Sequence, residues 1–235
     1  MRNKEKLQQR FWKFIEGVKQ RRLVLALSLV IGILSGLAAI LLKNLTHFVE
    51  ERFTHILFGS ISADIPFIFP LVGIFLTVLF VKYIVKQDIG HGVSKILFAI
   101  SRRKGHLKPH NTWSSMVASS ITVGLGGSVG LEAPIVLTGA SIGSTIGRLL
   151  RFNYKTIVLL VGCGGAGAIA GIFKAPIAAL VFAIEVLMLD LTTWSIVPLL
   201  LSTVTAATVS YFLLGEEVVF SFTISEPFVL TNLPF

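Results

Sequence analysis

The chain has 235 residues, of which 54% are hydrophobic and 14% charged, and its mean hydropathy is +0.82. This composition excludes an ordinary water-soluble globule and is typical of a membrane protein. The formal net charge of +9 suits a nucleic acid or an anionic lipid, and the apolar content favours the lipid membrane, not nucleic acid, as the partner. The chain has one cysteine, Cys163, in an apolar run, so an intramolecular disulfide and a Cys-rich metal site are excluded. No metal and no cofactor are predicted.

Long apolar runs predict the helices that cross the membrane. Three runs, at residues 23–42, 66–85 and 194–214, reach the roughly 20 residues that a helix needs to span the hydrocarbon core. The first run is longer than the core of a signal peptide and has no evident small-residue cleavage site after it. We therefore predict that it is a retained span.

Between residues 113 and 190 the apolar stretches are broken by Gly, Ser and Pro. We predict short or interrupted helices at residues 113–125, 134–150, 156–169 and 176–189. Lipid cannot satisfy unpaired backbone groups, so breaks at membrane depth must be buried in protein or line a polar path. The predicted fold class is therefore an all-α polytopic membrane protein with broken helices, which indicates a pathway and not a simple anchor.

Positive charge predicts the orientation, since Lys and Arg near the ends of spans favour the cytoplasm. Residues 1–22 hold eight basic groups and two acids, and residues 82–108 hold seven basic groups and one acid. Both segments are predicted to be cytoplasmic, whereas residues 43–65 are more acidic and are predicted to be outside. No Lys or Arg follows Lys174, so the C-terminal end is predicted to be extracytoplasmic, in a cell (inner) membrane.

The basic N-terminal segment, residues 1–22, is treated as a region of its own. Five apolar residues fall near one face of a helix: Leu7, Phe11, Phe14, Ile15 and Val18. This pattern predicts an amphipathic helix on the cytoplasmic membrane surface. The alternative is a solvated basic tail that only sets the topology.

Twelve of the 21 glycines lie between residues 112 and 171, which indicates close approach of backbones there. One stretch, Gly162 to Gly167, follows the G-x-G-x-x-G pattern of dinucleotide-binding proteins, with Glu185 near the expected position of the ribose-binding acid. Against that hypothesis, Pro176 interrupts the helix that would follow, and Glu185 lies in an apolar run. We favour packing between helices through small residues.

Two other glycine-rich turns precede possible helices, at residues 90–94 and 126–134. Pro134 suits the first turn of a helix, where its missing N–H costs nothing. A helix N-terminus presents free N–H groups and a partial positive charge, which together can bind an anion. Glu132 is then the candidate functional residue, because its carboxylate can occupy the place of the anion; the alternative is a simple charge partner of the helix end. His91 is either anion-facing or a buried neutral residue.

Three motifs resemble the CLC family of chloride channels and chloride/proton antiporters. Gly90-His-Gly-Val-Ser is similar to its Gly-Ser-Gly-Ile-Pro motif, and Gly130-Leu-Glu-Ala-Pro is similar to Gly-Arg-Glu-Gly-Pro. The run from Phe173 to Glu185 is similar to Phe-Asn-Ala-Pro-Leu-Ala-Gly-Ile-Leu-Phe-Ile-Ile-Glu. The resemblance implies that residues 23–215 form the first of two inverted repeats of broken, tilted and re-entrant helices.

The resemblance also implies the function, which is transport of chloride or a similar small anion and not enzyme catalysis. Glu132 matches the gating glutamate of the family. The anion-binding residues would be the following: His91, Gly92, Val93, Gly130, Leu131 and Ala133. The complete protein is expected to be a homodimer in which each subunit has its own pore.

Several residues depart from the family pattern. His91 stands where a Ser is common, and Leu131 replaces a common Arg. Val186 follows Glu185 at the position where antiporters carry an internal proton-transfer glutamate. Because valine cannot carry a proton, we predict passive, glutamate-gated conduction, with chloride/proton antiport as the alternative.

The second repeat of the family is not visible after Gly215. Residues 216–235 have mixed polarity and no span, so they are predicted to be an extracytoplasmic linker toward a missing second repeat. A further alternative is a non-conducting half-subunit that assembles with a complete relative.

Overall fold

The computed structural model describes residues 2–58, 68–86, 92–188 and 193–215. Within these ranges the protein is built from α-helices and contains no strand, which confirms the predicted all-α class. The helices are α1 (Arg2–Phe58), α2 (Ile68–Leu79), α3 (Gly92–Arg102), α4 (Asn111–Gly124), α5 (Glu132–Leu149), α6 (Tyr154–Phe173), α7 (Pro176–Val186) and α8 (Thr193–Leu214).

The three predicted spans all form helices. In α1 the stretch Arg21–Arg52, and in α8 the stretch Ser195–Leu214, are long and apolar enough to cross a membrane. The described part of the run at residues 66–85 forms α2 and continues as a π-helical turn, Phe80–Val85. This turn ends where Lys86 adopts a left-handed conformation and its N–H donates to the Val81 carbonyl (2.8 Å). The chain is therefore a multi-pass membrane protein.

The N-terminal segment continues directly into the first span. The backbone of α1 is helical from Arg2 onward, with no break near residue 22. The amphipathic face predicted from Leu7 to Val18 lies outside the residues whose side chains are described, so it stays a prediction.

The prediction of short helices holds for α4, α5 and α7, which have 14, 18 and 11 residues. It is wrong for residues 156–169, because α6 runs for 20 residues without interruption and is itself long enough to span a membrane. The side chain of Asn153 starts this helix by accepting the N–H of Thr156 (3.0 Å). The glycines in α6 do not break it, since each lies in the protein interior.

Helix α6 is the centre of the structure, and α1, α5 and α8 pack around it. Small residues set the directions of these helices. A Cβ on Gly32 of α1 would contact Ser202 of α8, and a Cβ on Gly36 would contact Ala206. Because these contacts follow the same order along both helices, α1 and α8 run parallel. Consequently, the ends of α1 near residue 21 and of α8 near Leu214 lie at opposite ends of the bundle.

Helix α5 runs antiparallel to α6, and the two meet along a seam that we define by Gly139, Gly143, Leu160 and Gly164. A Cβ on Gly139 would overlap the carbonyl oxygen of Gly164, and a Cβ on Gly164 would overlap that of Gly139. A Cβ on Gly143 would overlap the Leu160 carbonyl. The glycine-rich stretch therefore packs helix against helix, as favoured from the sequence, and no strand of a dinucleotide-binding unit precedes it in the described part of the chain.

Candidate functional site

The first turns of α3 and α5 lie against each other. Gly92 is the first residue of α3 and is buried. A Cβ at this position would overlap the carbonyl oxygen of Ala133, the second residue of α5. Only glycine permits this approach, which brings together two of the motifs that the sequence placed 40 residues apart.

The N-terminus of α5 is left without a side-chain cap. Leu131 occupies the capping position and forms no side-chain hydrogen bond with the helix. The first backbone bond runs from the Ile135 N–H to the Leu131 carbonyl (3.2 Å), and Pro134 has no N–H to offer. In the described part of the chain the N–H groups of Glu132 and Ala133 have no backbone acceptor, so they remain free for an anion.

Glu132 lies at this helix end with its carboxylate folded back toward the preceding turn. Its side chain is exposed, and a Cβ on Gly130 would overlap its Oε2 atom. Among the residues that the structure describes, no cationic side chain forms an ion pair with it. The negative charge is thus held next to a positive helix end without a competing cation, and Gly130 provides the space into which the carboxylate turns.

The turn before α5 is shaped by two further glycines. Gly126 has a positive φ of 86°, which favours glycine, and the Gly127 N–H donates to the Thr122 carbonyl (2.9 Å). The Val129 N–H then donates to the Gly127 carbonyl (2.9 Å). These bonds fold the chain back after α4, so that α5 begins beside α3.

The other predicted site residues occupy different surroundings. Val93 and Leu131 are partly buried and pack against the hydrophobic core, so Leu131 contributes its backbone and not a polar side chain. His91 lies outside the described residues. The structure therefore brings together Gly92, Ala133 and Glu132 directly, with Gly130 beside them.

Helix α7 carries one acid, Glu185, and is a separate element from α3 and α5. Glu185 is exposed, and Val186 is the last residue of α7, which packs against α6 and α8. Pro176 is the first residue of this helix, a position that suits proline.

Sequence reasoning missed the role of Lys174, which it used only as the last basic residue. Lys174 is 7% exposed and has a left-handed backbone between α6 and α7. Its Nζ donates to the Gly215 carbonyl (2.7 Å) and lies 5.1 Å from the centroid of the Tyr211 ring. The side chain thus ties the α6–α7 corner to the C-terminal end of α8. The feature of the sequence that could have indicated this role is an isolated Lys inside an apolar run.

The fold and the site define a class: a multi-pass helical membrane protein in which the first turns of two helices, α3 and α5, lie against each other. The family model for the voltage gated chloride channel matches residues 73–235. Since this is more than half of the chain, the protein belongs to this family, the CLC proteins.

Individual relatives agree with this assignment. The chain is 25% identical over 216 residues to an uncharacterised protein of Methanocaldococcus jannaschii, covering 92% of this chain and 50% of that protein. It is 28% identical over 183 residues to the H(+)/Cl(-) exchange transporter ClcA of Vibrio cholerae, covering 74% of this chain and 38% of that protein. The chain therefore spans half or less of the length of these relatives.

A solved structure shares the fold. The crystal structure of a CLC-type fluoride/proton antiporter matches with a TM-score of 0.70 and 27% identity, covering 89% of this chain and 51% of that chain. The described helices thus correspond to about half of such a transporter.

Proposed function

We propose that this chain forms part of an anion pathway, with chloride as the expected ion and Glu132 as the gate. The observation that carries the proposal is the meeting of α3 and α5 at Gly92 and Ala133, beside the exposed carboxylate of Glu132. An anion at this place would be bound by the backbone N–H groups of the two helix ends: Gly92, Val93, Gly130, Leu131, Glu132 and Ala133. His91 is proposed to contribute a ring N–H.

Gating follows from competition for the same positive helix end. While the Glu132 carboxylate is charged, it occupies the place that an anion would take. Protonation removes its charge, and rotation away from Gly130 removes its bulk, so either change admits the anion. Backbone donors at broken helices hold an anion without a formal cation, which allows it to leave again.

Passive conduction is the favoured mode of transport. Val186 stands where the resemblance implies an internal proton-transfer glutamate, and an aliphatic side chain cannot relay a proton. Exchange of the anion for protons is the second candidate. The similar proteins favour it, since one is an H(+)/Cl(-) exchange transporter and one is a fluoride/proton antiporter. The second of these proteins also makes fluoride the competing substrate.

The test is anion efflux from liposomes with simultaneous recording of external pH, using the protein purified with any partner that it carries in its membrane. We expect chloride efflux, and we expect Glu132→Gln to raise it at neutral pH and remove its pH dependence. Glu185→Gln is the matched control, because it neutralises an exposed acid on α7, away from the two helix ends. Equal behaviour of both variants would exclude Glu132 as the gate.

The same recording separates the two modes of transport. Passive conduction predicts chloride efflux without proton uptake, whereas a fixed ratio of proton uptake to chloride efflux would establish exchange. If conduction is passive, Val186→Glu tests whether the missing acid is what prevents coupling. Replacing chloride by fluoride in the same liposomes decides which anion is preferred.

The assembly and orientation are part of the proposal. We propose that the complete protein is a homodimer in a cell membrane, with residues 1–22 in the cytoplasm, residues 23–215 as the first repeat, and residues 216–235 leading toward a second repeat. Cysteine labelling of Arg22→Cys and Leu213→Cys from either side of the membrane tests the orientation. Co-purification of a complete relative, with no efflux from the chain alone, would favour a non-conducting half-subunit.

A further inference from the structure

A basic cleft lies at the end of α5 opposite to Glu132. The loop between α3 and α4 and the C-terminal turn of α5 line this cleft, which is wide open to solvent and has a volume of about 460 Å³. Six of its lining residues are basic or histidine: Arg102, Arg103, Lys104, His106, Lys108 and Arg148. Leu107 and Pro109 complete the lining, and no acidic side chain of the described residues contributes to it.

The loop that carries these charges is held in one conformation by a buried hydroxyl. Ser144 of α5 is 0% exposed, and its Oγ accepts the Leu107 N–H (2.9 Å) and donates to the Gly105 carbonyl (2.7 Å). Lys104 and Gly105 both have positive φ, which turns the chain sharply at this point. The cations are therefore presented from an ordered loop and not from a flexible tail.

Two further observations point to a ligand with negative charge. The Nε atom of Arg148 is buried and has no hydrogen-bond partner among the described residues, although Arg148 lines the cleft. A buried donor without an acceptor is costly, and a rotation of the Arg148 side chain toward the cleft would let an anion there accept from it. The positive charge also affects the neighbouring His110. Its pKa is lowered first by burial and second by the positive charges of Lys95 and Lys108.

We propose that this cleft binds a phosphate group, carried by the headgroup of an anionic lipid. Arg side chains match phosphate oxygens with paired N–H groups, and a cluster of cations next to membrane helices is suited to anionic headgroups. Leu149, which is 81% exposed, and Leu150 follow Arg148 directly and offer an apolar surface for the acyl chains. A charge cluster that only orients the chain in the membrane would need neither the ordered loop nor the shared cleft.

The test compares two double variants that remove the same charge at the same end of the bundle. Arg102→Gln/Arg103→Gln removes two exposed cations of the cleft, and Arg22→Gln/Lys155→Gln removes two exposed cations outside it. Each protein is purified in neutral detergent with any partner it carries, and binding of phosphatidylglycerol is measured by native mass spectrometry, with phosphatidylcholine as the neutral lipid. Inorganic phosphate is titrated separately to identify a soluble source of the group.

We expect the cleft variant to bind phosphatidylglycerol at least about tenfold more weakly than the wild type, and the control to change less than about threefold. If millimolar inorganic phosphate competes with phosphatidylglycerol in the wild type and not in the cleft variant, the cleft binds soluble phosphate. This result would still support a phosphate site. Equal losses in both double variants, or no preference for phosphatidylglycerol over phosphatidylcholine, would overturn the proposal. Thermal unfolding of each variant without lipid shows whether lipid binding is lost because the variant misfolds. If the cleft double variant misfolds, Arg148→Gln takes its place as the cleft variant.

Discussion

The seam between α5 and α6 and the meeting point of α3 and α5 are both rich in glycine, yet the glycines do different things. In the seam, the missing Cβ of Gly139 or Gly164 is replaced by the backbone of the opposite helix. At Gly130 the same space is filled by the end of a flexible carboxylate, that of Glu132. What occupies the space of the absent side chain therefore distinguishes a glycine that holds helices together from one that leaves a functional group room to move.

The largest effect is expected from Gly164→Ala in the seam. The new methyl group would overlap the Gly139 carbonyl, so α5 and α6 must separate, and we expect a loss of about 3 kcal/mol or more in the free energy of unfolding. Thermal unfolding in detergent measures this loss. Gly165→Ala is the control, since the atoms nearest to its methyl group would be side-chain atoms of Leu187 (3.3 Å) and Val136 (3.4 Å), and the Val136 carbonyl oxygen lies at an ordinary contact distance of 3.8 Å. Equal unfolding temperatures for the two variants would refute the role of the seam.

A smaller effect on stability, accompanied by an effect on transport, is expected from Gly92→Ala. Its methyl group would overlap the Ala133 carbonyl, so the first turn of α3 must move away from α5. We expect a loss of about 1–3 kcal/mol of stability and a strong reduction of anion efflux in protein that folds. Normal efflux from this variant would show that the two helix ends need not meet for transport.

Gly130→Ala is expected to change transport with almost no change in stability. Its methyl group would displace the carboxylate of Glu132 and no backbone atom, so the unfolding free energy should change by less than about 1 kcal/mol while efflux rises. The double variant with Glu132→Gln tests this mechanism. If Gly130→Ala acts by displacing the charged gate, its effect on efflux should largely disappear when the charge is already absent.

The smallest effect concerns His110 and separates the pH dependence of the fold from that of the gate. Its pKa is lowered from the usual 6.5 by burial and by Lys95 and Lys108, so the unfolded chain binds the proton more readily than the folded protein. His110 therefore does not destabilise the fold well above pH 6.5, and it lowers the stability of the folded state as the pH falls through 6.5 toward the lowered pKa. His110→Gln should flatten the dependence of the unfolding temperature on pH as the pH falls below 6.5, without changing the dependence of efflux on pH.

Much of the architecture could be predicted from local sequence patterns. The apolar runs at residues 23–42, 66–85 and 194–214 became helices, and Pro134 and Pro176 lie in the first turns of α5 and α7. The hydropathy of a run and the missing N–H of a proline are properties of the local sequence. Their effect on a helix can therefore be predicted without knowing which residues pack against that helix. A helix was predicted at residues 156–169, but its length and continuity as α6 were not, because a glycine-rich run has low helix propensity on its own and is stabilised by the helices that pack around it.

The sequence by itself determined the membrane class, the helical segments and the motifs that resemble the CLC family, because these depend on composition and on residues close together in the chain. Only the tertiary structure decided that Gly92 meets Ala133, that the Glu132 carboxylate turns over Gly130, and that Ser144 orders the basic loop. Each of these contacts depends on how far one helix is shifted along another. That register is set by the packing of many small residues at once, so no single motif encodes it.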